Sequence, residues 1–222
     1  MRVRRAPANS VDVVLFTADG GRLAVLLVRD EFGHAREQWS LPWNMLAESG
    51  TLDESAEQIV LRAVGARAGW LVQAGAFADG TRHPGGAVLS VAFLGVMPQQ
   101  AEHPAASRWF PVHDLPSVAP RHRAILDAAA AQLRERVGRA PIAFRLLGAA
   151  FTLRDLQAMY EMLLGRRLHK ASFRRALKAA SLVEPADDWR SEGRGRPARL
   201  YRYAPASRSG GRGGVRFELP GD

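Results

Sequence analysis

The stretch LPWNMLAESGTLDESAEQIVLRAVG, residues 41–65, decides the fold. Its second half opens on Thr51-Leu-Asp-Glu54, the form of a capping box, in which Thr51 and Glu54 satisfy each other's backbone N–H at a helix start. Behind that box Ala56, Ile59, Val60, Ala63 and Val64 share one helical face, and Gly65 closes the segment. Strand-like runs lie on both sides. Val11–Phe16 and Leu23–Val28 are β-branched and apolar, and the turn Asp19-Gly20-Gly21 joins them as a hairpin. Leu89–Val96 is a further apolar run after the turn-rich segment 79–86. Trp109-Phe110-Pro111 begins a short strand or loop, and prolines 111, 116 and 120 punctuate the end of the unit.

The same stretch resembles the signature of the Nudix superfamily, G-x5-E-x7-R-E-U-x-E-E-x-G with U apolar. That pattern places carboxylates on one helical face to hold Mg²⁺, a hard ion that takes oxygen ligands, against a diphosphate. In the ungapped register Asn44 stands for the leading glycine and Gly50 for the first glutamate. Gln58-Ile59-Val60-Leu61-Arg62-Ala63 replaces the R-E-U-x-E-E core. The resemblance therefore implies the scaffold without its metal-binding carboxylates, and no enzyme, catalytic residue, metal or cofactor is expected. Asp53, Glu54 and Glu57 remain on the first turns, where they suit the helix N-terminus and solvent.

Residues 77–93, FADGTRHPGGAVLSVAF, are similar to a region of the Nudix-related transcriptional regulators, the repressors of NAD metabolism. Those carry a phenylalanine-glycine turn, R-D-P-R-G-R and V-x-S-V-A-Y. Arg82, Pro84, Gly86, Val88, Ser90, Val91 and Ala92 fit, while His83, Gly85 and Ala87 replace an acid and two arginines. The resemblance implies a pocket for ADP-ribose or a related NAD-derived nucleotide, although losing two arginines removes strong phosphate contacts. Arg82 leads the ligand candidates, with Trp39, Phe77 and Arg29 beside it. Trp43 is placed to fill part of the old pocket, and His83 reads as a solvated turn residue.

The net charge is +9 over 222 residues. Residues 1–139 hold 15 Lys/Arg against 14 Asp/Glu and residues 140–222 hold 16 against 8, so the excess sits at one end. A localised excess points to a polyanion-binding module. There Thr152 caps a helix to Leu164 with Leu153, Leu156, Tyr160, Leu163 and Leu164 inward, and Gly165 stops it. A second helix, about Lys170–Ala180, buries Phe173, Ala176, Leu177 and Ala180 at helical spacing. Lys170, Ser172, Arg174, Arg175 and Lys178 fall elsewhere on its surface, the layout of a recognition helix. Glu192–Pro197 has the make-up of a wing, in which Arg194, Arg196 and Arg199 meet DNA backbone or minor groove. The regulator family carries F-R-R and G-R-P-A-x-L-Y-R at these places. Phe173-Arg-Arg175 and Gly195–Arg202 match.

These readings give an α+β protein: a Nudix-like α/β/α sandwich followed by a winged helix-turn-helix domain. The expected divisions are 1–120 for a degenerate Nudix-like effector and dimerisation domain, 121–140 for a connecting helix, 141–205 for the winged helix and 206–222 for a disordered basic tail. No cysteine excludes disulfides and thiolate chemistry. No apolar run is long enough to span a bilayer. The expected role is a transcriptional regulator, a repressor, binding double-stranded operator DNA as a homodimer and sensing a small-molecule effector. Its expected location is cytoplasmic and nucleoid-associated. A nucleotide-diphosphate hydrolase with a nucleic-acid-binding appendage, and an effector-less DNA-binding scaffold, are the alternatives.

Overall fold

The computed structural model describes residues 8–29, 39–47, 49–98, 105–191 and 197–204. The chain divides into two compact units, one up to residue 132 and one from residue 133.

The first unit is built on β1 (Asn9–Asp19) and β2 (Arg22–Arg29), joined by the glycine turn in which Gly20 and Gly21 both take positive φ, 54° and 76°. That left-handed pair suits a two-residue hairpin and is open to glycine at no steric cost. The short strands β3 (Trp39–Ser40) and β4 (Trp43–Met45) precede α1 (Leu52–Val64). After α1 come β5 (Trp70–Phe77), β6 (Leu89–Val96) and β7 (Ser107–Pro111). Among the described residues the strand order is β3-β2-β1-β6-β5, with β4 also on β1 and β7 also on β2. β1 and β6 run parallel from Asn9↔Leu89 to Phe16↔Val96, and every other pairing is antiparallel.

Both faces of β1 are covered, which is why it reads as an almost unbroken apolar run. Val11, Val13 and Leu15 on one face join Leu26, Val91 and Phe93 in a core with Ala56, Ile59, Val60, Ala63 and Val64 of α1. That stripe is the one the sequence periodicity predicts, and the Thr51–Glu54 capping box forms at its head. On the other face, Asp12 meets His122 of α2 (Pro120–Arg136). The sheet thus lies between α1 and the start of α2.

The helix expected only as a connector over 121–140 has a first turn buried in the first unit. It then runs through the boundary at residue 132.

The second unit holds α3 (Ile142–Leu146), α4 (Leu153–Leu164), α5 (Lys170–Ala180) and the hairpin β8 (Val183–Arg190) with β9 (Ala198–Tyr203). Its core is aromatic. Phe144 stacks on Tyr203 at 4.5 Å and meets Tyr160 and Phe151 at 6.2 and 6.0 Å, while Tyr160 meets Phe173 at 6.0 Å. Thr152 caps α4 with Asp155, as its sequence implies, and Gly165 ends it in the left-handed conformation. Met159 is buried in α4 where the expected stripe had Leu153 and Leu164, both only half-buried. The expected tail, 206–222, lies outside the described residues.

Candidate effector site and nucleic-acid interface

The segment 77–88, which links β5 to β6, is held by one buried charge. Arg121, 1% exposed, turns every guanidinium nitrogen toward it. Nε donates to Thr81 Oγ1 at 2.9 Å and faces Asp79 at 3.0 Å. Nη1 donates to the Phe77 carbonyl at 2.7 Å and Nη2 to the Thr81 carbonyl at 2.9 Å. The Arg121 backbone N–H adds a bond to the Arg82 carbonyl at 3.1 Å. A buried guanidinium is tolerated only with its donors satisfied, and here the loop supplies the acceptors.

The neighbouring residue completes a second knot. His83 Nε2 and His122 Nε2 each lie 2.9 Å from Asp12 Oδ1 and 3.2 Å from one another, all three side chains fully buried. His83 was expected as a solvated turn residue. It is instead drawn inward because Asp12, a carboxylate in an apolar strand, needs N–H donors that only distant chain can bring. Ser10 Oγ donates to the other carboxylate oxygen at 2.6 Å. Burial alone would raise the Asp12 carboxyl, but the bonds from His122 and His83 outweigh it and hold the group well below the ordinary carboxylate range.

Three such atoms spaced 2.9–3.2 Å apart have the separations of ligands around one small ion. The far sides of the rings carry different chemistry. The backbone N–H of Gly85 points at His83 Nδ1 at 3.0 Å, and that of Leu41 at His122 Nδ1 at 3.1 Å. A backbone N–H can only donate, so each Nδ1 accepts and each ring carries its proton on Nε2. A metal-bound histidine needs the reverse, a bare Nε2 and an Nδ1–H that donates outward. The cluster is therefore a carboxylate gripped by two imidazole N–H groups, with a donor set that does not fit a metal ion.

Trp43 covers this knot. Its ring meets His83 edge-on at 4.7 Å, and its six-membered ring lies directly over Gly85.

The four expected ligand residues form two pairs. Arg29 lies over the Trp39 ring at 4.7 Å, and Trp39 meets Phe110 edge-on at 4.9 Å. Phe77 ends β5 and the exposed Arg82 lies on the connection from β5 to β6. β3 and β5 are at opposite ends of the strand order, so three strands separate Trp39 from Phe77. That is about 19 Å across an ideal sheet. The structure does not bring all four together. On α1, Glu54 is engaged in the cap, with its carboxyl lowered by the Thr51 N–H, and Glu57 pairs with Arg67 at 2.7 Å. Ile59 and Ala63, at glutamate positions of the Nudix register, are 3% and 7% exposed in the core.

In the second unit Phe173 and Leu177 are buried, Ala176 and Ala180 half-buried, and Lys170, Ser172, Arg174, Arg175 and Lys178 exposed. Among the described residues none of the four cations forms an ion pair. The turn before α5 is fixed from α4: Glu161 accepts from the Leu168 N–H at 2.8 Å and Gln157 donates to the Leu168 carbonyl at 2.9 Å. The Leu168 N–H first, and then the Gln157 amide, which also donates to Glu161 at 3.0 Å, keep the Glu161 carboxyl below its ordinary value. An ion pair from Arg190 to Asp155 ties β8 to the start of α4. Arg199 is exposed and its Nε donates to the Ala186 carbonyl across the hairpin at 3.3 Å. Arg194 and Arg196 lie outside the described residues. Among the described residues no helix is long and apolar enough to cross a membrane.

Residues 143–203 match the NrtR DNA-binding winged helix domain family. The ADPR responsive transcriptional repressor NtrR of Acinetobacter baylyi is 29% identical over 208 residues, 90% of this chain and 83% of its own length. The crystal structure of Shewanella oneidensis NrtR complexed with a 27mer DNA superposes with a TM-score of 0.79 at 28% identity. It covers 88% of this chain and 93% of that one. The Nudix domain of the same Shewanella protein, complexed with ADP ribose, gives a TM-score of 0.50 at 24% identity over 58% of this chain and 90% of that one, a likeness of fold. A MutT/nudix family protein from Enterococcus faecalis also shares the fold, with a TM-score of 0.73 at 18% identity over 90% of this chain and 89% of that one. The chain is thus of the class that joins a Nudix-like domain to a winged helix. In motifs and fold it resembles the Nudix-related transcriptional regulators.

Proposed function

We propose that this chain is a repressor that binds operator DNA through α5 and the β8–β9 wing, and that its Nudix-like domain has exchanged nucleotide hydrolysis for effector binding. The observation that carries the DNA reading is α5 itself. Phe173 and Leu177 lock one side into a small core, and Lys170, Arg174, Arg175 and Lys178 stand exposed and unpaired with acid on the rest. Such a helix offers cations to phosphates and to guanine edges in a major groove. The effector is ADP-ribose or a related NAD-derived nucleotide, and Arg82 on the loop held by Arg121 is its first charged contact. The named chemistry of the Acinetobacter and Shewanella proteins supports that choice. The loss of hydrolysis is supported by Ile59 and Ala63, whose core methyl groups stand where the Nudix register has carboxylates for Mg²⁺. The repressor acts as a homodimer on paired half-sites, in the cytoplasm and close to the nucleoid.

One observation favours a second reading, a DNA-binding scaffold without effector: Trp43 occupies the space over Gly85, beside the loop the nucleotide would use. The test is anisotropy titration of the full chain on DNA from its own upstream region, with and without millimolar ADP-ribose. Binding that ADP-ribose shifts supports the sensor, and binding indifferent to every NAD-derived nucleotide supports the scaffold. No binding to that DNA at low salt sinks both.

A further inference from the structure

We infer that His83 is an acid-sensitive switch: one proton on its Nδ1 releases the Gly85 peptide and, with it, the Trp43 indole that covers the 77–88 loop. The switch does not depend on what the loop binds.

Each ring nitrogen of the buried cluster is committed. His83 Nε2 donates to Asp12 at 2.9 Å, and its Nδ1 accepts the Gly85 N–H at 3.0 Å. His122 repeats the pattern, with Nε2 on Asp12 at 2.9 Å and Nδ1 accepting from Leu41 at 3.1 Å. Both rings are neutral in this arrangement, and Asp12 remains a fully buried anion. The groups that face His83 come from three elements: Asp12 of β1, His122 of α2 and the uncharged Trp43 of β4. Ser10 and Ser90 stand behind Asp12 as hydroxyls. Of the charges nearby in sequence, Arg121 is bound to Phe77, Asp79 and Thr81, Asp79 is bound to Thr81 and Arg121, and Arg82 is exposed. The charge in contact with His83 is therefore negative, and a proton gained there neutralises a buried carboxylate.

An imidazolium donates from both nitrogens and accepts at neither. Nε2 keeps Asp12, but Nδ1 then carries a hydrogen where Gly85 already points one, so the 3.0 Å bond cannot survive. His83 is the ring that yields. Gly85 sits in a turn closed by the Gly86 N–H on the His83 carbonyl at 3.0 Å, and Gly86 has a positive φ of 72°. Leu41 has no such freedom: it is buried, and the next carbonyl, that of Pro42, accepts from the Val13 N–H of β1 at 2.8 Å. Any turn of the Gly85 peptide meets Trp43. The indole lies so close that a Cβ on Gly85 would stand 2.2 Å from its Cη2, and it meets the His83 ring edge-on at 4.7 Å. The peptide cannot rotate beneath the indole without displacing it, so the proton is registered at Trp43.

The experiment follows the tryptophan fluorescence of the full-length protein from about pH 8 to about pH 5, the range in which histidine gains its proton. Trp43 is one of five tryptophans, and the difference between wild type and Trp43→Phe isolates its emission. That emission is expected to change in a single one-proton step while far-UV circular dichroism stays constant. In ¹⁵N-labelled wild type the Gly85 amide proton is expected to move upfield in the same step, as an N–H does on losing its acceptor. His83→Gln, whose side-chain amide can donate to Asp12 and does not titrate, is expected to abolish both changes. Trp43 emission that stays flat across the range, or a step that survives in His83→Gln, overturns the switch. So does a step that coincides with loss of circular dichroism, which is acid unfolding. Should either variant fail to fold, the Gly85 amide of wild type decides alone: movement in a one-proton step supports the switch, and a stationary resonance overturns it.

Discussion

Trp43 and Gly85 are matched in shape. A Cβ on residue 85 would stand 2.2 Å from Cη2 of the Trp43 indole and 2.6 Å from Cζ3, distances no side chain tolerates. Gly85 is not among the glycines with positive φ, so the demand is purely one of space. The pair expects a specific signature. Gly85→Ala overpacks the site and destabilises by about 1–3 kcal/mol in urea unfolding. Trp43→Ala makes room, so the double variant loses less than the sum of the two single ones. Strict additivity would show that the indole moves aside freely.

Asp12→Asn is expected to cost about 1.5–3 kcal/mol, the range of hydrogen bonds to a charged group. Its pH dependence has a definite sign. The folded carboxyl is lowered, so its stabilisation is complete above the unfolded value, about 4, and drains away as pH falls through and below it. Between pH 5 and 8 Asp12 contributes no slope. Unfolding followed from pH 5 down to 2 should be steeper in wild type than in the variant, and parallel curves would remove Asp12 as the reason. Because both Nε2 atoms carry protons, neither Zn²⁺ nor a chelator should move the melting temperature. A rise on stoichiometric Zn²⁺ that Asp12→Asn abolishes would reverse the tautomer assignment.

Rebuilding the Nudix carboxylates should fail for a physical reason. Ile59→Glu or Ala63→Glu places an acid in the core formed with Val11, Val13 and Phe93. Each is expected to destabilise by about 3 kcal/mol or more. Neither should yield turnover of ADP-ribose in Mg²⁺ above the wild-type background, which is itself expected at the level of buffer. Chromatography of AMP and ribose 5-phosphate, the two products of cleaving the diphosphate bond, measures it directly.

Arg174→Ala is expected to weaken operator binding by about 1–3 kcal/mol and to relax preference at one base position, while Lys178→Ala weakens all sequences alike. The salt dependence of Lys178→Ala should flatten by about one phosphate contact. Both residues are exposed, so thermal unfolding should stay within about 0.5 kcal/mol of wild type. Titrations at two salt concentrations, beside melting curves, separate contact from structure.

What the sequence displayed and what it hid follow from distance along the chain. The α1 stripe, the Thr51 and Thr152 caps and the span of α5 are signals carried within a few residues, and each appears where its pattern puts it. β5 was hidden because its half-buried residues do not alternate cleanly and a bulge after Gln73 breaks its register. α3, at five residues, is too short to show a period. The knot at Asp12 joins residues 71 and 110 positions apart, and its one local trace is an acid inside an apolar strand. Arg121 looked like the start of a connecting helix because nothing nearby announces the carbonyls of Phe77 and Thr81 that receive it. That Arg29 and Trp39 lie three strands from Phe77 could not be read from the sequence, because strand order is invisible before the sheet is built.

The parallel pairing of β1 with β6 also orders events at the ribosome. Asn9 waits for Leu89 and Phe16 for Val96, so one edge of the central strand has no partner until some eighty further residues have been made. At about 5–20 residues per second, that is roughly 4–16 s of synthesis. During that time the β1–β2 hairpin and β4 can assemble, yet Val13, Val14 and Leu15 stay open along the side that β6 will cover. His122 arrives later still, so the first domain closes only when the opening turn of α2 has emerged. A nascent chain stalled before residue 89 would expose a sticky strand edge, and this protein should depend on chaperones most in that interval.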